Sequence, residues 1–245
     1  MEQKPRCPIC NGTGLIIEIG EGGEVARPCE CSVRKYQENK LQQLYDNAHL
    51  PKGKIREATF EDYLKLPFPP SVIQENSSSI STYKKYHDDI SLLFQGPHII
   101  WIYGSEPNAC HTTLAVILGK TALQKNYKVF FLSMQDLINI FFNFESLYSR
   151  VEKILQNDLI IVDDAFDLSR CSINQKTSKF ILSHIFSFFN ELISNDKRII
   201  CTSNVPIHTI DSIFDEVKIL LLRSSLQIEL KGSISTYLQR MQTYA

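Results

Sequence analysis

The sequence predicts an α/β protein, a parallel sheet flanked by helices, with a small metal-binding module at its amino-terminal end. Three observations carry this expectation. Short, continuous apolar runs alternate with helical patterns from Ile99 onwards, which is the signature of strands buried on both faces. Cys7, Cys10, Cys29 and Cys31, four of the seven cysteines, crowd into the first 31 residues. Finally, Leu159-Ile160-Ile161-Val162-Asp163-Asp164 reads as an apolar strand that ends in two acids.

The elements follow in order. Leu15 to Ile19 and the run into Cys29, separated by Gly22 and Gly23, read as a β-hairpin with cysteines at its base. A helix is expected over Ser32 to Asp46, with Val33, Tyr36, Leu41, Leu44 and Tyr45 roughly on one face and Arg34, Lys35 and Lys40 around it. Pro51 and Gly53 end it. Leu66-Pro67-Phe68-Pro69-Pro70 and the polar run Asn76 to Ser79 predict a linker. This gives a module over residues 1–50, a linker over 51–80 and a main domain over 81–245. Within that domain, strands are expected at Ile99–Tyr103, Val129–Ser133, Leu159–Val162 and Ile199–Ser203, with an edge strand at Leu226–Leu230. Helices are expected over Thr112–Gln124 and Lys179–Ser194. Phe141, Phe142 and Phe144 are read as packing residues, not base-stacking platforms.

Composition narrows the function classes. A chain of 245 residues, 43% hydrophobic and 22% charged, can bury a real core. A formal net charge of −1 gives no global nucleic-acid signal, so any such binding needs a local patch. No apolar stretch reaches transmembrane length and no signal-peptide core is evident, so no membrane partner and a cytoplasmic location are expected. In that compartment clustered cysteines favour metal over disulfides. Two close pairs on facing turns suit the tetrahedral thiolate shell of structural zinc, whose binding would supply folding free energy to so small a module. Reduced cysteines without metal are the alternative.

The main domain carries a phosphate-site pattern in two unequal halves. As at the end of a Walker B strand, Asp163 would lie near a magnesium-bound water and Asp164 is a candidate for orienting attacking water; a buried strand with two acids at its exposed end is the alternative. The facing loop runs Gly104-Ser105-Glu106-Pro107-Asn108-Ala109-Cys110-His111-Thr112-Thr113. A phosphate loop uses glycines for close backbone approach, a lysine for the β- and γ-oxygens and Ser/Thr for magnesium. Counted directly from Gly104, the Gly-Lys-Thr positions fall on Ala109, Cys110 and His111. With one inserted residue they fall on Cys110, His111 and Thr112, which leaves Thr112 for magnesium and Thr113 at the helix start. Neither register has the lysine; a histidine replaces it in the second. Weakened or absent binding of ATP and magnesium is therefore expected. Thr202-Ser203-Asn204 adds polar groups at the same sheet edge.

With these motifs in place, the chain resembles the bacterial replicative helicase loaders of the DnaC/DnaI type and the related IstB transposition ATPases. The cysteine knuckle, the basic helix after it, Ala58-Thr59-Phe60-Glu61-Asp62-Tyr63, the Asp163-Asp164 pair and Thr202-Ser203-Asn204 carry the resemblance. It implies an AAA+ P-loop NTPase-like domain with a reduced lid after residue 225. It also implies a zinc module that contacts the replicative DNA helicase, single-stranded DNA as a second partner, and a homo-oligomer. Asn204 would be the sensor and Arg223 an arginine finger, set against an ordinary surface arginine as the alternative. Three functions remain open: an ATP-dependent loader, a non-hydrolysing adaptor of the same fold, and a zinc-stabilised DNA-binding accessory of a mobile element.

Overall fold

A computed structural model of the protein describes residues 7–20, 23–104, 110–143, 147–166, 175–210 and 215–232, apart from the side chains of 20 and 175–179. It divides into two compact units, Met1–Asn47 and Ala48–Ala245.

In the first unit, β1 (Leu15–Gly20) pairs antiparallel with β2 (Gly23–Pro28), from Leu15 opposite Pro28 to Gly20 opposite Gly23. Gly22 of the expected turn lies outside the described residues. The α1 helix (Glu30–Asn47) follows at once and starts two residues earlier than expected. Its apolar residues do not form one buried face: Tyr45 is buried, whereas Tyr36 is 70% exposed.

The second unit is built on a five-stranded parallel sheet in the order β4-β5-β6-β3-β7. The strands are β3 (Ile99–Tyr103), β4 (Val129–Ser133), β5 (Leu159–Asp163), β6 (Arg198–Ser203) and β7 (Ser225–Glu229). The four strands expected from Ile99 to Ser203 all form, and the expected edge strand lies one residue before its expected place. Ile99, Ile100, Trp101 and Ile102 are all fully buried, as are Leu159 to Val162, because helices cover both faces. On one face Ile99 and Trp101 join a core with α8 (Met134–Phe142), α9 (Leu147–Leu155), α10 (Gln175–Ser194) and α11 (Asp215–Ser224). Trp101 Nε1 finds its partner in the Val205 carbonyl at 3.1 Å.

The other face receives α7 (His111–Gln124), an apolar helix that approaches β5 closely. A Cβ placed on Gly119 would lie 2.7 Å from Ile161 Cδ1, so a larger residue there would force the Ile161 side chain to shift.

Residues 51–80, expected as linker, are largely helical. They hold α2 (Lys54–Glu57), α3 (Phe60–Leu64), α4 (Pro70–Glu75) and the start of α5 (Ser77–Asp88), with α6 (Ser91–Gln95) leading into β3. The reason is local and tertiary together. Thr59 and Asp62 form a capping box at the start of α3. Phe60, Tyr63 and Tyr83 then bury their rings beside α7, and Tyr83 donates its hydroxyl to the Leu114 carbonyl at 2.8 Å. Lys120 of α7 caps this segment by donating to the carbonyls of Arg56 and Ala58.

Phe141 is buried, as expected, but Phe142 is 42% exposed. One helical step of about 100° carries it off the face that Leu137, Ile138 and Phe141 present to the core. Phe144 lies outside the described residues, as do Ser105 to Ala109. Beyond residue 232 the expected lid is also outside them. No helix among the described residues is long and apolar enough to cross a membrane.

Candidate functional site

Parallel strands all present their carboxyl ends at one edge of the sheet, and the polar residues of β3, β5 and β6 gather there. The register pairs Val162 with Cys201, so Asp163 falls beside Thr202. Thr202 Oγ1 donates to Asp163 Oδ1 at 2.5 Å. Thr112 Oγ1, from the first turn of α7, donates to the same oxygen at 2.7 Å. One carboxylate oxygen thus joins the helix after β3 to the ends of β5 and β6.

Burial raises the Asp163 carboxyl above its ordinary range; the hydroxyls of Thr202 and Thr112 oppose that rise, the Asp164 charge adds to it, and His111 works against it. Asp164 itself turns into the left-handed region, with φ of 52°, and donates its N–H to Thr202 Oγ1 at 3.1 Å. The next amide, Ala165 N, donates to the Thr202 carbonyl at 2.7 Å. Ser203 completes the turn by donating its hydroxyl to the Ala165 carbonyl at 3.0 Å.

The loop side keeps Gly104 and Thr112 of a phosphate cradle and departs from it at Cys110 and His111. Gly104 is buried, and its N–H donates to the Ser203 carbonyl at 3.2 Å, continuing the β3–β6 ladder. Cys110 takes φ of 63°, immediately before α7. Non-glycine residues adopt that conformation at a cost, and glycine does so freely. Cys110 therefore stands in a glycine-type position, the one that the register ending on Thr112 gives to the second glycine. His111 begins the helix and is buried, and Thr113 is half-buried behind Thr112. The arrangement of Thr112 with Asp163 could hold a hydrated magnesium ion; the run from Gly104 to Thr113 contains no lysine to meet phosphate oxygens.

Thr202 is the residue that sequence reasoning undervalued. In the sequence it is the first member of Thr-Ser-Asn, whose sensor role the resemblance assigns to Asn204. The signal was present: when β5 and β6 are aligned as adjacent buried strands, their polar ends meet at Asp163 and Thr202. Asn204 follows as a half-buried residue at the sheet end. Arg223 is exposed in the last turn of α11, where its guanidinium also complements the helix carboxyl end.

The four amino-terminal cysteines form a second candidate site in their own unit. Their sulfurs all lie within 4.8 Å of one another. Cys7 and Cys29 are 3.8 Å apart, and Cys10 and Cys31 are 3.4 Å apart. A tetrahedron of sulfurs at the zinc–thiolate bond length of about 2.3 Å has edges of about 3.8 Å. The donor set and its spacing therefore fit a closed, four-thiolate zinc site. The turn is already arranged for thiolates: Gly14 N–H donates to Cys10 Sγ at 3.3 Å and lowers that thiol to about 6. Its neighbour Cys31, bonded to Cys10 and Cys29, is pushed up to about 12.

Residues 93–222, just over half of the chain, match the family of IstB-like ATP binding proteins. No curated protein matches the chain. Solved structures with a similar fold include a replication initiator, DnaA, bound to AMPPCP and single-stranded DNA. It is 20% identical with a TM-score of 0.53, over 64% of this chain and 47% of that one. The DnaC helicase loader is 18% identical with a TM-score of 0.52, over 74% of this chain and 100% of that one. DnaI is 11% identical with a TM-score of 0.53, over 75% of this chain and 93% of that one. The chain spans about half the length of the initiator. At these identities the likeness is one of fold.

Proposed function

The chain belongs to the family of IstB-like ATP binding proteins, and from that premise we propose that it is a helicase-loader-type AAA+ protein. It binds the replicative DNA helicase in the cytoplasm and assists its placement on DNA, with a nucleotide site of weakened affinity. The observation that carries this reading is one chain holding both the Thr112–Asp163–Thr202 site and a four-cysteine module with a bare apolar face. On that face Leu15, Ile17 and Ile19 are 51%, 64% and 85% exposed, opposite Pro28, Ala26 and Glu24 of the facing strand. A contiguous exposed apolar surface on so small a module is suited to a protein partner. Zinc held by Cys7, Cys10, Cys29 and Cys31 would keep that face in shape.

In the nucleotide site, Thr112 and Asp163 would hold magnesium, Asp164 would orient the attacking water and Asn204 would face the γ-phosphate. Gly104, Thr113 and the α7 amino-terminal end would border the phosphates, with His111 in place of the lysine. Losing the lysine and placing a side chain at the Cys110 turn both weaken phosphate contacts. This supports an adaptor that binds its partner with little or no ATP turnover, as the second reading within the same fold.

Two further partners follow. Tyr148, 86% exposed, and the exposed Phe142 stand near Arg150 and Lys153 in sequence on α8 and α9. Aromatic platforms with basic neighbours suit single-stranded DNA. Ile219 and Leu222 are exposed on α11 next to Arg223, which favours a second copy of the chain receiving that arginine at its own site.

The decisive experiment is capture of purified replicative helicase by the full-length protein, with and without ATP and magnesium. Stable capture under either condition supports the reading, and ATP dependence separates loader from adaptor. Failure to capture the helicase in both conditions, alongside tight DNA binding, would favour the mobile-element accessory instead.

A further inference from the structure

We propose that Thr202 is the positioning residue of this site, the one hydroxyl that sets both Asp163 and Asp164 in the arrangement magnesium requires. The proposal rests on the reading of this sheet edge as a magnesium–nucleotide site. Thr202 is fully buried, and its side-chain oxygen is used in both directions. It donates to Asp163 Oδ1 and accepts from Asp164 N–H, while its carbonyl accepts from Ala165 N–H. Two consecutive acids are thereby fixed by one residue of the neighbouring strand.

The two bonds do different work. The bond to Asp163 holds the carboxylate toward Thr112, so that one oxygen faces the start of α7. The bond from Asp164 N–H stabilises a backbone turn with φ of 52°, which a non-glycine residue adopts only with support. Without that support the turn relaxes and the Asp164 side chain points elsewhere. Only an oxygen that can donate and accept at once performs both tasks, which restricts the position to Thr or Ser. The β-branched methyl of threonine adds the restriction of χ1 that keeps the oxygen aimed at the turn.

The test compares Thr202→Val, which keeps the shape and removes the oxygen, with Thr202→Ser, which restores it. Two measurements are made on full-length protein. The first is the exchange rate of the Asp164 amide proton by NMR, which needs no nucleotide. Thr202→Val should speed that exchange by about tenfold or more relative to amides elsewhere in β5, and Thr202→Ser should return it to the wild-type rate. The second is the magnesium concentration that half-saturates ATP binding. Groups that orient metal ligands typically change metal affinity by about 10–100-fold when removed, so Thr202→Val should raise it by that factor. Affinity for ATP in EDTA should remain as in wild type, and Thr202→Ser should restore the magnesium dependence.

A merely structural role predicts faster exchange across the whole sheet and equal losses with and without magnesium; either result overturns the proposal. Unchanged Asp164 exchange in Thr202→Val overturns it as well. Wild-type protein that binds no ATP at any magnesium concentration counts against the nucleotide site itself, and the exchange measurement then decides the role of Thr202 alone.

Discussion

Restoring the two missing residues of the phosphate loop should restore nucleotide affinity, and the structure says how each contributes. Cys110 has φ of 63° and His111 opens α7. In Cys110→Gly the cost of a side chain in the left-handed region, about 1–2 kcal/mol, is relieved. The extra freedom of glycine in the unfolded chain takes back about 0.4–1 kcal/mol. The net change in stability is thus between about 0 and 1.6 kcal/mol in favour of the variant, a rise of a few degrees at most in melting temperature. His111→Lys acts on the ligand. A charge-assisted hydrogen bond to a phosphate oxygen contributes about 1.5–3 kcal/mol, or roughly 10- to 150-fold in Kd. The double variant should therefore bind ATP with magnesium at least about tenfold more tightly than wild type by calorimetric titration, and the gain should shrink at high salt. Equal affinity of wild type and a folded double variant would refute the reasoning, because it would mean that His111 does not stand where a phosphate-binding lysine belongs.

Chelation of zinc, or Cys7→Ser, should collapse the hairpin of residues 15–28. Loss of its dispersed NMR resonances, with the thermal transition of the five-stranded sheet kept, is the expected pattern, since the larger unit has its own core. Gly119→Ala should destabilise despite alanine's better helix propensity. Overpacking against Ile161 costs about 1–3 kcal/mol and the propensity gain is about 1 kcal/mol, so urea denaturation should show a loss of up to about 2 kcal/mol. Asp163→Asn should flatten the pH dependence of stability. Burial raises the folded-state pKa above the unfolded value, so in the window between the two the folded protein holds a proton that the unfolded chain has released. Stability must then fall as pH rises through that window, and Asn, which cannot ionise, removes the fall; parallel profiles for the two proteins would sink this assignment.

The legibility of this fold in its sequence follows the range over which each element is determined. The three central strands were readable because burial on both faces leaves continuous runs such as Ile99 to Tyr103 and Leu159 to Val162, which admit few other placements, whereas β4 and β7 at the sheet edges are only partly buried. The cysteine module was readable because metal geometry demands close pairs. Residues 51–80 misled because Pro67, Pro69 and Pro70 and a serine run have the composition of a linker. Their helices are short and depend on Phe60, Tyr63 and Tyr83 finding α7, which is a tertiary fact. The Thr59-x-x-Asp62 capping box was the local clue. Phe142 misled for a related reason: three phenylalanines close in sequence look like one cluster, but helical rotation sends neighbours to different faces.

The site shows the same division with a consequence for mechanism. Asp163 and Asp164 were evident because acids ending an apolar strand stand out, whereas Thr202 was not, because a threonine in a buried strand is unremarked until the register is known. Yet Thr202 and Thr112 both donate to one oxygen of Asp163. Magnesium needs lone pairs on that carboxylate and on Thr112, so Thr112 must turn its proton away when the ion arrives, while Thr202 can keep its bond. On the proposed reading, Thr112, Asp163 and Thr202 would form the magnesium half of the site, and Cys110 and His111 would stand where the phosphate half calls for glycine and lysine. A protein arranged in this way would retain the coupling between metal, β5 and β6 while holding the triphosphate loosely. Nucleotide exchange would then be fast, and the state of the site would be set more by a partner that closes over it than by ATP concentration alone.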